Sequence, residues 1–465
     1  MRLRDKVWTI AAMAAALFAG PGLVGSAQAY TETVLYSACP SGVCNGLPRQ
    51  QVLKSGNVLY GVGSGGANGA GVVWQYDLGS STYSVLYDFC QQADCTDGDT
   101  PSGPLIIDTA GNLYGVTQFG GGNAFKHNNA GTVFRLNKPS SGSWTLTRMY
   151  SFCPIKVGSG LCPDGNDPMS GLTYAGAAGG TAYDGTSLLF GTTLAGGGSV
   201  GTLQGDGVVF AIKNNGSSWS EKAIHVFCAA CSASCTVCGD GVYPLGQVVM
   251  DASNDIWGTT IMGGIASNGA AYKLAPGTDL WNDPWTSSVI YNFCWTGASK
   301  CPDGSSPNGL IQDAAGNLWG TAYYGGNGPA STGDGVLFKL NNPGGCTEGG
   351  TATFWCSTVK HNFCSSAGCS DGAYPNGDIV MDSSGDIFGT TTMGGSSAVI
   401  SGGAGAVWKQ SGATESVLYA FCPSSGCSDG QRPLAGATMD SSAKLYGTTM
   451  MGGSHGDGAI YKLTP

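Results

Sequence analysis

The stretch NLYGVTQFGG at residues 112–121 decides the reading, because it returns six more times in altered form. The copies are NVLYGVGSGG at 57–66, LLFGTTLAGG at 188–197, DIWGTTIMGG at 255–264, NLWGTAYYGG at 317–326, DIFGTTTMGG at 386–395 and KLYGTTMMGG at 444–453. Their central glycines are Gly61, Gly115, Gly191, Gly258, Gly320, Gly389 and Gly447, spaced by 54, 76, 67, 62, 69 and 58 residues. A constant phrase at variable spacing is a modular repeat with loops of different length.

Working outward from the copy at 112–121, GPLIID leads through Thr109-Ala110-Gly111 into the phrase. A glycine loop follows, then GTVFRL at 131–136 and LTRMYSF at 146–152. Each piece is short, rich in β-branched or aromatic residues and bounded by Gly, Asp or Asn, as half-buried strands are. The turn recurs as DAAGN at 313–317 and DSSGD at 382–386. It offers a side-chain acceptor and a residue for positive φ, the chemistry of a tight hairpin.

Four strands per unit and seven units predict an all-β fold, a seven-bladed β-propeller whose radial closure hides the sheet edges. The chain ends fit this. TETVLYSAC at 31–39 reads as a fourth strand with none before it, and the last unit stops after its third strand, GAIYKL. The N-terminal strand, about residues 32–38, is therefore expected to complete the last blade. Two aromatic series share strand positions: Tyr60, Tyr114, Phe190, Trp257, Trp319, Phe388 and Tyr446, and Trp74, Phe134, Phe210, Tyr272, Phe338, Trp408 and Tyr461. They read as packing between blades. A membrane barrel needs strands of about 9 to 11 alternating residues, longer than those here.

The GNLYGTT-x-x-GG phrase, with its G-V-V-F-K-L and L-Y-S-F companions, resembles the GloVer tandem repeats of bacterial exported proteins. It is less closely similar to two-component-regulator propeller repeats and streptogramin lyase propellers. The resemblance spans residues 30–465 and implies an exported repeat protein of propeller type, in a family without an established biochemical role. Many such proteins carry a C-terminal sorting segment; this chain ends at Lys462-Leu463-Thr464-Pro465, so surface anchoring is not expected.

Composition narrows the function. Glycine is 79 of 465 residues, yet no G-X-Y period appears, which excludes collagen. With 42% hydrophobic and only 11% charged residues the chain has ample surface to bury, which excludes disorder. Basic residues number 20 against 30 acidic, and no Lys/Arg run could track a phosphate backbone, so nucleic acid is not expected as a partner. Residues 1–29 read as a secretory signal, with Arg2, Arg4 and Lys6 before an apolar stretch and Ala27-Gln28-Ala29 as the cleavage site. Its removal would leave residues 30–465 as one propeller domain with 17 basic and 29 acidic residues, a net of −12. No later segment is long and apolar enough to span a membrane. The mature chain is expected to be exported, extracellular or periplasmic, and monomeric.

All 18 cysteines lie beyond residue 29. An even number in an exported chain predicts disulfides. A short cysteine loop follows each fourth strand: Cys39/Cys44, Cys90/Cys95, Cys153/Cys162, Cys228/Cys238, Cys294/Cys301, Cys364/Cys369 and Cys422/Cys427. Cys231/Cys235 and Cys346/Cys356 complete the set. Loops this short give each bridge about 2 to 3 kcal/mol in the chain-entropy relation, so they read as loop stiffeners. The segment FCAACSASCTVC could in principle hold zinc, but three residues separate its two C-x-x-C pairs where zinc ribbons have about 15 or more.

In a propeller, the loops from fourth to first strand and from second to third strand open on one face, here the cysteine and glycine loops. Loops of that kind carry most binding functions. Two series on this face are candidates. D-G-x-x-P follows the second cysteine at Asp97, Asp164, Asp240, Asp303, Asp371 and Asp429. These could form a weak cation ring, or turns whose carboxylates cap their own backbone, the favoured reading. The first unit has Asn45-Gly46 instead. The second series precedes the paired glycines: Phe119, Ala195, Met262, Tyr324, Met393 and Met451, with Tyr323 beside Tyr324. Exposed, these would line an apolar rim for a glycan or protein ligand. His225 and His361 stand where other units have Tyr, a structural position, whereas His127 and His455 lie in glycine loops. The four glutamates, Glu32, Glu221, Glu348 and Glu415, fall outside the loops of this face.

The expectation is a non-enzymatic binding or scaffolding module with an unknown protein or glycan ligand, no catalytic residues, no resident metal and no cofactor. One alternative is a lyase or hydrolase with a metal-assisted site built from His127 or His455 and nearby aspartates. A passive cell-envelope structural protein is the other.

Overall fold

The architecture follows from one recurrent contact. Each phrase glycine lies opposite an aromatic residue of the next strand: Gly61 faces Trp74, Gly115 Phe134, Gly191 Phe210, Gly258 Tyr272, Gly320 Phe338, Gly389 Trp408 and Gly447 Tyr461. A Cβ on any of them would stand 2.3 to 2.8 Å from the facing ring. The phrase is constant because the ring occupies the space that a side chain would need.

The computed structural model describes residues 30–39, 47–48, 50–122, 130–154, 162–198, 205–229, 238–295, 300–330, 333–343, 355–395, 400 and 402–465. They form seven antiparallel sheets arranged as blades. In blade two the strands are Asp99–Ile107, Leu113–Phe119, Thr132–Asn137 and Thr145–Ser151, from the inside outward. Blades three to six repeat this order, and in blade one the inner strand is split into Leu47–Pro48 and Leu53–Ser55. The expected closure is present. Thr31–Ser37 pairs antiparallel with Ala459–Thr464, from Thr31 opposite Thr464 to Ser37 opposite Ala459, and becomes the outer strand of blade seven.

The core lies between blades. The third-strand ring of one blade meets, edge-on or tilted, a phenylalanine that ends the preceding blade: Phe89 with Phe134, Phe152 with Phe210, Phe227 with Tyr272, Phe293 with Phe338, Phe363 with Trp408 and Phe421 with Tyr461. Their centroids lie 4.9 to 5.3 Å apart. Each such pair contributes about 0.5 to 1.5 kcal/mol beyond its burial.

D-G-x-x-P is the second clasp. Its fourth residue reaches back to the preceding blade with a backbone N–H: Thr100 to Ala70, Asp167 to Ala130, Tyr243 to Asp206, Ser306 to Asn268, Tyr374 to Asp334 and Arg432 to Ala404, at 2.7 to 3.1 Å. The proline then packs on the glycine that opens that blade's third strand, as Pro375 does on Gly335. On the opposite face the Asp-x-x-Gly hairpins behave as expected: Asp108 Oδ1 accepts the Ala110 and Asn112 N–H groups, and Gly111 takes φ +87°.

The inner strands surround a cavity of about 290 Å³ lined from all seven blades, with Gln50, Ser102, Ser170, Gln247, Asn308 and Asp378 among its polar walls. Asp378 is its one charged lining residue, and burial pushes that carboxyl up to about 6.

Candidate binding face

The cysteine and glycine loops share one face, as the topology predicts, and are tied together there. The second glycine of each pair donates to the carbonyl of the second cysteine: Gly121 to Cys95, Gly197 to Cys162, Gly264 to Cys238, Gly326 to Cys301, Gly395 to Cys369 and Gly453 to Cys427, at 2.7 to 2.9 Å. Six of the expected bridges are present: Cys90–Cys95, Cys153–Cys162, Cys228–Cys238, Cys294–Cys301, Cys364–Cys369 and Cys422–Cys427. Cys39 and Cys356 are disulfide-bonded as well. Cys44, Cys231, Cys235 and Cys346 lie outside the described residues, as do His127, Glu348 and residues 1–29, the expected signal.

The six Asp-Gly carboxylates are engaged by the fold. Asp97, Asp164, Asp303 and Asp429 accept the hydroxyls of Tyr87, Tyr150, Tyr291 and Tyr419, each at 2.8 Å. Asp240 and Asp371 meet His225 and His361 at 3.4 and 3.1 Å. The same carboxylates accept backbone N–H groups at the start of the cysteine loops, for example Cys153 to Asp164 and Cys422 to Asp429. This is a structural clasp at the foot of each loop. His225 and His361 occupy the tyrosine position within it. A close trio of metal-type ligands among the described residues, Asp206 with Cys228 and Cys238, has both sulfurs joined to each other.

The apolar series divides. Phe119, Tyr323 and Met393 are half-buried, and Ala195 is buried. Met262, Tyr324 and Met451 are exposed, as is His455, whose Nδ1 lies 3.0 Å from Ser454 Oγ. Two further exposed apolar residues belong to the same face, Ile265 at 69% and Trp295 at 63% exposure. Their loops are tied together: the Ile265 N–H donates to Asn292 Oδ1 at 2.9 Å, and Trp295 lies three residues beyond Asn292.

A third set was not legible as a site. The residue before each D-G-x-x-P proline, namely Thr100, Asp167, Tyr243, Ser306, Tyr374 and Arg432, has φ between +54° and +60°. Bulky side chains avoid this region. Tyr374 stacks on Tyr323, with centroids 5.3 Å apart and planes at 26°, and Tyr324 stands edge-on to both. Arg432 is exposed.

Three glutamates lie between blades rather than on this face. Burial raises Glu32 and Glu415 to about 7 and Glu221 to about 8, and Asp429, Asp371 and Asp164 respectively add to the rise. The His361 charge opposes it at Glu415, and the Tyr150 hydroxyl opposes it at Glu221. One carboxyl oxygen of each has no hydrogen-bond partner.

The Gloeobacter/Verrucomicrobia repeat matches residues 26–188 and 184–461. The chain belongs to the Gloeobacter/Verrucomicrobia repeat family. No functionally curated protein matches it. Solved structures similar to this repeat protein include an oligogalacturonate lyase in complex with manganese, at 12% identity, TM-score 0.48 and coverage of 94% of this chain and 96% of that one. A polysaccharide lyase is similar at 11% identity and TM-score 0.45 with 90% of both chains covered. A luciferin-regenerating enzyme is similar at 8% identity and TM-score 0.40, covering 94% and 95%. None of these activities is assigned to the Gloeobacter/Verrucomicrobia repeat protein.

Proposed function

We propose that the protein is an exported, non-enzymatic binding module that captures its ligand on the cysteine-loop face. The observation that carries this is one-sided exposure. The five large apolar side chains exposed among the described residues, Met262, Ile265, Trp295, Tyr324 and Met451, all belong to loops of that face. Clustered apolar exposure on disulfide-stiffened loops favours recognition, because stiff loops lose little entropy on binding. The six Asp-Gly carboxylates with His225 and His361 are held in the clasps, and His455 has only Ser454 as a hydrogen-bond partner among the described residues. The disulfides support an oxidising compartment outside the cytoplasm.

The test is a thermal-shift screen of the oxidised protein against glycans, peptidoglycan fragments, and divalent metals with a chelator control. Binding to the native state alone raises the midpoint. The expected result is a shift with a glycan class that disappears in an Ile265→Ser/Trp295→Ser/Tyr324→Ser variant of unchanged intrinsic stability. Turnover of that glycan, lost on His455→Ala, would replace this reading with the enzymatic one.

A further inference from the structure

We propose that the seam between blades five and six holds a pocket for a small aromatic carboxylate, on the hairpin side of the ring, away from the cysteine loops. This site is separate from the cysteine-loop face and does not depend on its reading.

The pocket arises where three departures from the repeat meet. On the hairpin side of a seam, the second-strand ring of one blade packs with two residues of the next blade. One follows the third-strand ring by two places, and the other is an aromatic residue before or at the start of the fourth strand. Leu274 and Trp285 pack with Phe190 in this way, and Leu340 and Trp355 with Trp257. The two indoles lie 5.7 and 5.2 Å from the rings they cover. A third residue, three places before the end of the fourth strand's seam phenylalanine motif, is Leu, Ile or Met in six blades, as at Ile224 and Ile290. Between blades five and six all three change together. Gln410 stands for the leucine, Ala413 for the aromatic residue and Lys360 for the isoleucine. Trp319, the ring that they would cover, is half-buried, whereas its six counterparts are buried. The space left is a cavity of about 530 Å³ with Trp319, Lys360, Gln410 and Ala413 in its walls. Sites for small molecules span about 300 to 1,000 Å³.

The wall chemistry names the ligand class. In the other seams an aromatic side chain fills this place, so the gap beside Trp319 suits a flat ring. Trp257 packs with both the Lys273 ammonium at 4.9 Å and the Trp355 indole, so Lys339 at 5.1 Å from the Trp319 ring leaves room for such a partner. Gln410 is 1% exposed. Its Nε2 donates to Gly412 O at 3.1 Å, while its Oε1 has no hydrogen-bond partner. A buried amide oxygen without a donor is costly where leucine would not be, and an N–H or O–H on the ring of a ligand supplies the missing donor. Lys360 Nζ lies 5.6 Å from the Trp319 ring centroid and makes no ion pair among the described residues. The acids nearby are engaged. Asp386, also in the wall, is bonded to Lys409 at 2.6 Å. Asp313 accepts the Trp319 Nε1–H at 2.9 Å and lies 3.4 Å from Lys339. Lys360 is thus the cation left for a carboxylate on the ligand.

The experiment measures binding of indole-3-acetate and 4-hydroxyphenylacetate, their neutral amides and cyclohexylacetate, by calorimetry on the oxidised protein. Three variants each restore a residue that other blades carry: Ala413→Trp, Gln410→Leu and Lys360→Met. The expected result is that an aromatic acid binds and that Ala413→Trp, which fills the gap, abolishes binding without lowering the melting midpoint. Lys360→Met should weaken the acid about tenfold and leave its amide unchanged, the loss of one charged partner. Gln410→Leu should weaken acid and amide alike. If Ala413→Trp melts lower than the parent, the other two variants decide. No binding of either aromatic acid, affinity unchanged in Ala413→Trp at an unchanged midpoint, affinity unchanged in both Lys360→Met and Gln410→Leu, or cyclohexylacetate binding as tightly as the aromatic acids overturns the site. Amides binding as tightly as acids overturns the ligand class. The Ile265→Ser/Trp295→Ser/Tyr324→Ser variant should bind the acids as the parent does. If it loses them, they bind on the cysteine-loop face and the pocket assignment fails.

Discussion

Six seams between blades are built alike, and the seventh is not. From blade one to blade seven each seam has a buried phenylalanine against the next blade's ring, a D-G-x-x-P clasp and a back-reaching N–H. At the closing seam Ala38 stands where the others have phenylalanine. Tyr36 instead stacks on Tyr83 with centroids 4.0 Å apart and planes at 2°. The polar contacts of this seam are Thr448 Oγ1 to Gln50 O at 3.0 Å, a bond that Thr259 Oγ1 also makes to Asn308 O between blades four and five, Thr438 Oγ1 to Val52 O, and Lys54 at 4.0 Å from Asp440. The repeated seams hold by interlocked rings and backbone, whereas the closing seam depends on a strand contributed from the far end of the chain.

The most severe way to break that comparison is to remove the strand. Deleting residues 30–39 takes the partner of Ala459–Thr464 and should abolish a single cooperative transition in calorimetry, because the whole ring depends on closure. A melting curve like that of the intact protein would show that closure is dispensable.

Next in size are the two kinds of aromatic contact. Phe293 is fully buried, and Phe293→Ala should cost about 3 to 5 kcal/mol. Tyr36 is half-buried, and Tyr36→Ala should cost about 1 to 2 kcal/mol, mostly the stacked pair. Urea midpoints of the two variants check this. Equal losses would mean that the closing seam is as tightly packed as the others. Smaller again is Gly389→Ala, whose Cβ would stand 2.4 Å from the Trp408 ring, an overpacking cost of about 1 to 3 kcal/mol. Gly239→Ala, with open space around its Cβ, should stay within about 0.5 kcal/mol of the parent.

Much of this was readable in the sequence because the repeat multiplies every weak signal by seven. Gly389 alone says little, but seven glycines each paired with an aromatic some 13 to 19 residues later define a strand pair. The closure was legible for the same reason, as a fourth strand without its first three. The site was less so. Met262, Tyr324 and Met451 were found because they sit in the repeated phrase, while Ile265 and Trp295 lie just outside it, where no copy exists for comparison. The positive φ of Tyr374 and Arg432 is a backbone property that no pattern of residue types displays. The burial of Glu32, Glu221 and Glu415 escaped for a related reason: the sequence places them outside the loops of the cysteine-loop face, and it is the neighbouring blade packed against them that buries them.

Those glutamates supply the finest test of the comparison. Glu221, Glu415 and Glu32 stand beside the clasp carboxylates Asp164, Asp371 and Asp429 of three internal seams, and Glu32 alone does so from the closing strand. At the seam between blades four and five, the neutral Ser357 meets Tyr291 instead. Burial lifts the three glutamates from the ordinary 4.5 to between about 7 and 8, so the folded state holds their protons more tightly than the unfolded chain does. Their contribution is complete below pH 4.5 and is lost as pH rises through the folded values of about 7 to 8. The melting midpoint should therefore fall between pH 6 and pH 9, less steeply in Glu221→Gln, which cannot ionise. Glu32→Gln should reduce the fall by less, since Glu32 is less deeply buried than Glu221 and its folded value is lower. If Glu32→Gln instead removes most of the pH dependence, the closing strand is the first part of the ring to open, and it opens at its contact with blade six.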